Sequence, residues 1–104
     1  MTPPDPIKRF VEATNAGDTE AFLNTFTSNA FLSDWGRSFR GREQIARWNQ
    51  SDNIGAQSNL RIVRSVPAGD TWRVRIAVKG NGFNGKGDMT FTLDGDRISS
   101  LEIA

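Results

Sequence analysis

Residues 71–79 read TWRVRIAVK, in which apolar side chains at every second position alternate with mainly basic ones. One side of this segment would carry Trp72, Val74, Ile76 and Val78, and the other would carry Arg73, Arg75, Ala77 and Lys79. Such a period of two is typical of a strand with one buried and one solvent-facing side. The segment therefore predicts a half-buried strand in an antiparallel sheet, whose apolar side must be covered by other elements.

The same alternation continues on both sides of this strand. Residues 60–66 precede it across the turn signal of residues 67–70, and residues 88–93 follow it after a glycine-rich stretch that we expect to form a flexible hairpin. Asp94-Gly95 is a hairpin signal that leads into a last strand. In that strand Ile98 and Leu101 are three positions apart, which predicts a bulge between them. The second half of the chain is thus predicted to form four antiparallel strands.

The first half of the chain has helical periodicity instead. Ile7 and Phe10 recur at helical spacing, Asp5-Pro6 is typical of a helix start, and Gly17 suits a left-handed helix end. The segments that follow are a short helix capped by Asp18, a hairpin of residues 30–35 and 37–40, and a third helix over residues 42–50. We predict an α+β fold in which a curved antiparallel sheet wraps over three N-terminal helices. Residues 1–104 would form one domain.

The composition excludes several classes of function. The 104 residues carry a net charge of +1 and contain no histidine, cysteine or tyrosine. Thiolate catalysis and a nucleophile–histidine relay are therefore impossible, and proton transfer would need a carboxylate, a lysine or water. Carboxylates recur at no ligand-like spacing, so we predict no metal and no cofactor. Balanced charge and the absence of a long apolar run argue against nucleic-acid and membrane partners, and we expect a cytoplasmic protein.

An ordered set of short motifs resembles the nuclear transport factor 2-like superfamily and its SnoaL-like domains. The motifs are Phe10-Val11-x-x-x-Asn15-Ala16-Gly17-Asp18, Phe22 to Phe26, Asp34, Gly41-Arg42-Glu43-Gln44-Ile45 and Phe91-x-Leu93-x-Gly95-x-Arg97-Ile98. The resemblance covers nearly the whole chain. It implies a cystatin-like α+β roll or cone, as in ketosteroid isomerase, with an apolar pocket between sheet and helices. That fold carries isomerases, cyclases, hydrolases and binding proteins without activity, so it does not specify a reaction.

Comparison with ketosteroid isomerase separates two halves of its catalytic machinery. Asp34 matches the position of the family's aspartate base. The oxyanion-binding half is absent, because Phe10 stands at the position of the tyrosine donor. The position of the second donor is taken by Met89 when inward-facing residues are aligned, or by Asp88 in an ungapped count. Loss of one oxyanion donor costs roughly 100- to 1000-fold in rate, so we predict no steroid isomerase activity.

Asp34 is the candidate for chemistry, as a general base or acid on a small hydrophobic substrate. It follows Leu32 by two positions, so the two side chains share one side of the strand. A carboxyl group among apolar neighbours is suited to proton transfer near neutral pH. The alternative is a structural role, in which Asp34 bonds the turn at Gly36 or pairs with Arg37 or Arg40. Under the catalytic interpretation, Asp34→Asn leaves the fold intact.

Seven large apolar side chains form either a ligand pocket or plain core: Phe10, Phe26, Trp35, Trp48, Phe83, Met89 and Phe91. As a pocket they would bind a flat apolar molecule, and the two tryptophans are favoured because their indole N–H groups need partners. Arg64 follows the inward phase of its strand. It would be a buried counter-ion of Asp34 or of a ligand, or would extend outward from a strand end.

The outward stripe of Arg61, Arg73, Arg75 and Lys79 is either a solvated sheet face or a site for an anionic partner. The resemblance implies a homodimer through this outer face, where these cations would need Asp88 or Glu102 as partners. Three functions stay open. They are an enzyme that uses Asp34, a module that binds a small apolar ligand without reaction, and a dimeric interaction module with a filled core.

Overall fold

A six-stranded curved sheet packs against three helices in the computed structural model, which describes residues 2–104. The elements are α1 (Asp5–Ala16), α2 (Thr19–Asn24), β1 (Phe26–Asp34), β2 (Arg37–Arg40), α3 (Gly41–Asp52), a 3-10 turn (Ile54–Ala56), β3 (Asn59–Ala68), β4 (Thr71–Lys79), β5 (Gly85–Asp94) and β6 (Arg97–Ile103). The strand order is β2-β1-β6-β5-β4-β3. The predicted α+β roll is confirmed.

One strand pair departs from the antiparallel prediction. β1 and β6 run parallel, whereas every other neighbouring pair is antiparallel. β1 ends at Asp34 and β6 begins at Arg97, so no turn connects the two strands and no turn signal in the sequence indicates their pairing. The sheet is therefore mixed. No helix within residues 2–104 has the length and apolar character to cross a membrane.

Local signals set the ends of α1 and α2. Gly17 ends α1 in the left-handed region with a φ of 69°, and Asp18 caps α2 by accepting a hydrogen bond from the Ala21 N–H at 3.0 Å. Both features agree with the sequence. The start of α1 differs by one position, because Pro4 is the N-cap and Asp5 is already helical. An acidic residue in the first turn also interacts favourably with the helix dipole.

The side chains of β4 alternate between the core and solvent as the sequence predicts. Val74 and Ile76 are fully buried, Trp72 and Val78 are partly buried, and the basic residues between them are exposed. Phenylalanines from α1, α2, β1 and β5 pack against this face with ring centroids 5.2–6.1 Å apart. Each such ring contributes about 1.5–3 kcal/mol by its burial, so this cluster is a main source of stability.

A bulge in β3 reverses the predicted orientation of its second half. One extra residue precedes Arg64, which then lies directly opposite the outward Arg75, while Ser65 takes the buried side and Val66 is exposed. Arg64 therefore does not follow the inward phase that simple alternation assigns to it. Of its two alternatives, the buried counter-ion is wrong and the outward direction is the one observed, although Arg64 lies within β3 rather than at its end. Simple alternation cannot detect an inserted residue, which moves every later side chain to the other face.

A second bulge was predicted correctly. The pairing of β5 with β6 shifts by one residue after Thr92, which pairs with Ser100, while Leu93 pairs with Ile98. The extra residue is Ser99, within the predicted interval between Ile98 and Leu101. Both of those apolar side chains consequently point into the core.

The side chain of Asn15 covers part of the free edge of β3. Its Nδ2 donates to the carbonyl of Leu60 at 2.9 Å, and the Leu60 N–H donates to its Oδ1 at 2.6 Å. One side-chain amide thus makes both hydrogen bonds that a residue of a neighbouring strand would make. The contact joins α1 to β3 and satisfies backbone groups that would otherwise need water.

Candidate functional site

A cavity of about 360 Å³ lies between the inner face of the sheet, α3 and the loop of residues 80–84. The apolar wall of the cavity is formed by Leu60, Val78, Met89 and Ile103. The polar wall is formed by Asp34, Arg37, Ser51, Asp52, Asn53 and Ser58. Three aromatic residues also line the cavity: Trp35, Trp48 and Phe83. Gly82, Lys86, Gly87 and Ala104 complete the lining. This volume and the mixture of apolar and polar groups suit a small organic molecule.

The predicted site residues fall into two groups. Asp34, Trp35, Trp48, Phe83 and Met89 line the cavity. Phe10, Phe26 and Phe91 are fully buried and lie in the core rather than at the cavity. The ring centroid of Phe10 lies 6.1 Å from that of Phe26 and 5.4 Å from that of Phe91. The division follows from the helices, because α1 and α2 fill one end of the cone and leave the end beside α3 open.

Asp34 lines the cavity and also forms an ion pair with Arg37. Its Oδ2 accepts hydrogen bonds from Trp48 Nε1 at 2.9 Å and from Arg37 Nη2 at 2.8 Å. Its Oδ1 makes no hydrogen bond with any residue from 2 to 104, and the side chain is 13% exposed. The ion pair with Arg37 agrees with the structural alternative for Asp34, and the position at the cavity with an unbonded Oδ1 agrees with the general-base alternative.

A tight turn joins β1 to β2 and brings Arg37 to Asp34. The two turn residues, Trp35 and Gly36, both have positive φ values of 50° and 86°, and Asp34 pairs with Arg37 at the end of the hairpin. This pattern is that of a type I′ turn, which favours asparagine and glycine. An aromatic residue in the left-handed region is strained, and Trp35 gains little from burial because it is 79% exposed at the cavity mouth.

Trp35→Asn is therefore expected to stabilise the protein by about 0.5–1 kcal/mol, because asparagine tolerates positive φ and completes a favoured Asn-Gly turn. Urea denaturation would measure the gain. Trp35→Phe is the matched control, since it keeps the strain and should leave stability nearly unchanged. A loss of stability in Trp35→Asn would show that the indole makes packing contacts that outweigh the strain.

Arg37 joins Asp34 to a second carboxylate that the sequence reasoning did not single out. Its Nη2 contacts Asp52 Oδ2, its Nη1 lies 3.4 Å from Asp52 Oδ1, and Ser51 Oγ donates to the same carboxylate. The hydrogen bond from Arg37, more than that from Ser51, holds the pKa of Asp52 below its ordinary value of 3.8, although partial burial acts in the opposite direction. The hydrogen bond to Asp52 also raises the pKa of Arg37.

The lowered pKa of Asp52 predicts a pH-dependent contribution to stability. The folded state favours the ionised carboxyl group, so the contribution is complete above the unfolded-state pKa of about 3.9 and is lost as the pH falls through the lower folded pKa. Asp52→Asn should reduce stability by up to about 1 kcal/mol at pH 7 and by less near pH 3. Glu43→Gln, which removes an exposed charge from the same helix, is the control for denaturation curves at both pH values. An equal loss at both pH values would contradict the assignment.

The loop of residues 80–84 holds Phe83 at the mouth of the cavity. The Asn84 side chain accepts from Gly80 N–H at 3.1 Å and donates to the Gly80 carbonyl at 2.9 Å, and Asn81 N–H donates to the Ala56 carbonyl at 2.8 Å. These bonds close the loop and attach it to the 3-10 turn. Phe83 is 59% exposed, so its ring is available to a ligand.

Acidic side chains do not gather into a metal site. Within residues 2–104 there is no group of three or more carboxylates placed to hold a metal ion. Asp34 and Asp52 instead share one guanidinium. The arrangement can orient a carboxylate and exchange a proton with a bound molecule.

The sequence profile of the SnoaL-like domain matches residues 7–101. This interval begins within the first turn of α1, includes α2, α3 and strands β1 to β5, and ends within β6. Among curated proteins, none matches the chain.

Solved structures give the same fold. A candidate polyketide cyclase from Sinorhizobium meliloti is 30% identical and superposes with a TM-score of 0.89 over 98% of this chain and 95% of its own. A protein with a ketosteroid isomerase-like fold from Catenulispora acidiphila, in complex with trimethylamine, is 19% identical over 99% and 86%, with a TM-score of 0.83. A Mycobacterium tuberculosis protein in complex with estradiol-17beta-hemisuccinate is 12% identical over 94% and 88%, with a TM-score of 0.82. The two more distant structures share the fold alone.

Proposed function

We propose that this chain, which belongs to the family of SnoaL-like domains with the nuclear transport factor 2-like fold, is an enzyme acting on a small hydrophobic molecule. Asp34 would transfer a proton on a carbonyl- or epoxide-bearing substrate, as in an isomerase, cyclase or hydrolase. The observation that carries the proposal is the asymmetry of the Asp34 carboxylate. Oδ2 is fixed by two donors, whereas Oδ1 has no protein partner within residues 2–104.

A carboxylate held in this way suits general base catalysis. Trp48 and Arg37 fix the plane of the group through Oδ2, so Oδ1 keeps a defined direction from which to accept a proton. Arg37 also lines the cavity and is half exposed, with N–H groups beyond those that contact the two aspartates. It would stabilise negative charge that develops on the substrate oxygen, in place of the oxyanion donors that Phe10 and Met89 do not supply.

A binding module without catalytic activity is the second candidate. The observation in its favour is the apolar wall that includes Leu60, Val78 and Met89, which offers no hydrogen-bond donor from its side chains. The exposed rings of Trp35 and Phe83 at the mouth would hold a flat apolar ligand equally well in either case.

Ligand binding and turnover should be measured on the same compounds. A panel of hydrophobic enones, ketones and epoxides would be screened by the NMR signal of the Trp48 indole N–H, which lies at the cavity, and product formation would be followed by mass spectrometry. Binding with turnover supports the enzyme. Binding of many compounds without conversion of any supports the binding module, and absence of both would contradict each proposal.

We further propose that residues 1–104 act as one domain, in the cytoplasm, and as a homodimer through the outer sheet face. The middle of that face carries the half-buried hydroxyl side chains of Thr90, Thr92 and Ser100 rather than charges. Light scattering should give the molar mass of two chains. Thr90→Arg should reduce it to one, because it adds a cation to each side of the interface. A mass of one chain for the unmodified protein would contradict the dimer.

A further inference from the structure

A groove near the β3 edge of the outer sheet face is lined by three arginines and three other residues. It lies on the opposite side of the sheet from the cavity, and beside the β5 and β6 positions proposed for the dimer rather than on them. It has a volume of about 330 Å³ and is formed by Arg64, Val66, Ala68, Arg73, Arg75 and Asp88, which we call the arginine groove. The bulge in β3 creates it, because the inserted residue turns Arg64 outward. Neither the family match nor the cavity accounts for this cluster.

The charges in the arginine groove repel one another when no anion is bound there. Arg64 lies directly opposite Arg75 on the neighbouring strand, and like charges in that position destabilise a sheet. Asp88 pairs with Arg75 at 3.1 Å. Arg64 and Arg73 make no hydrogen bond or ion pair with any residue from 2 to 104. Three guanidiniums and one carboxylate leave two net positive charges at one place.

We propose that the arginine groove binds the phosphate group of a small phosphomonoester. Such a group carries a charge of about −1.5 to −2 at pH 7, which matches the two uncompensated positive charges. Its tetrahedral oxygens accept bonds from several guanidiniums at once, and arginine binds phosphate in a bidentate manner. A single carboxylate would neutralise only one of the two charges. The groove accommodates a small molecule rather than a chain segment, and Val66 and Ala68 offer apolar contacts to its organic part.

The binding test uses inorganic phosphate and phenyl phosphate, with acetate as the monovalent comparison, at constant ionic strength. The Nε–H signals of the three arginines would be followed by NMR. We expect saturable binding of one phosphate per chain, at least about tenfold tighter than acetate. Affinity should fall below about pH 6, where the doubly charged phosphate group takes up one proton and becomes singly charged. Absence of saturation, or equal affinity for acetate, would overturn the proposal.

Variants distinguish a defined site from a generally positive surface. Arg73→Gln and Arg64→Gln should each weaken phosphate binding at least about tenfold, since each removes charged donors. Arg61→Gln is the matched control, because Arg61 is an exposed cation of the same strand outside the groove. It should change affinity by at most about twofold. Amide spectra would verify that each variant is folded.

Two results of these experiments would reject the site. A loss in Arg61→Gln equal to that in Arg73→Gln would indicate a diffuse field rather than a groove. Tighter binding of a tetraglutamate peptide than of phenyl phosphate would indicate an acidic protein partner instead.

Discussion

Asp34→Asn is expected to lower the rate of any proton transfer in the cavity by at least about 100-fold, because it replaces the general base by a neutral amide. The protein should remain folded. The asparagine oxygen can still accept from Trp48, and Arg37 keeps its contacts with Asp52. Since Arg37 is half exposed and stays paired with Asp52, the loss of its ion pair with Asp34 should change stability by no more than about 1 kcal/mol.

The measurement combines turnover of a substrate found in the screen with a denaturation curve. Asp70→Asn is the control, because Asp70 is exposed in the turn between β3 and β4 and lies outside the cavity. Ligand affinity should be nearly retained in Asp34→Asn, since the apolar wall is unchanged. Full activity of the variant would exclude Asp34 as the base, and a large loss of stability would assign it the structural role instead.

Gly55→Ala is expected to destabilise the protein by more than about 3 kcal/mol, at or beyond the upper end of the range for overpacked sites. A Cβ atom at Gly55 would lie 1.4 Å from the carbonyl oxygen and 2.4 Å from the carbonyl carbon of Gln50. Those atoms belong to the backbone of the last part of α3 and cannot move without disturbing the helix end. Asn53 and Ser58 on either side line the cavity, so ligand binding should be lost as well.

Urea denaturation tests this prediction, with Gly82→Ala as the control. A Cβ at Gly82 would meet only the side chain of Ala56 at 3.4 Å, so that substitution should cost little. A small effect at Gly55 would mean that the 3-10 turn can shift away from α3.

The sequence was most informative where one residue type determines the local backbone. The uninterrupted alternation of residues 72–78 predicted which face of β4 is buried, and Gly17 and Asp18 predicted a helix end and a helix start. The same reasoning failed at Arg64, because nothing in the sequence pattern indicates that the β3 bulge contains an inserted residue. It could not foresee the parallel pairing of β1 with β6, since that contact depends on the closure of the whole sheet.

The cavity was predicted less completely because it depends on which buried positions remain uncovered. Phe91 and Met89 share the inward phase of β5, yet only Met89 lines the cavity. Periodicity indicates that both point inward but does not indicate which one the helices cover. Asp52 was missed for a related reason. Its approach to Arg37 depends on where α3 ends relative to the hairpin, which no local pattern specifies.

At high protein concentration, β3 is the long edge strand most open to pairing with another molecule. The amide of Asn15 already occupies both backbone groups of Leu60, so an incoming strand would have to displace it. The bulge before Arg64 interrupts the regular spacing farther along, and Pro67 has no N–H to donate. Only short runs of the β3 backbone therefore remain for the strand of another molecule, and Asn15 of α1 is one of the residues that limit edge-to-edge pairing.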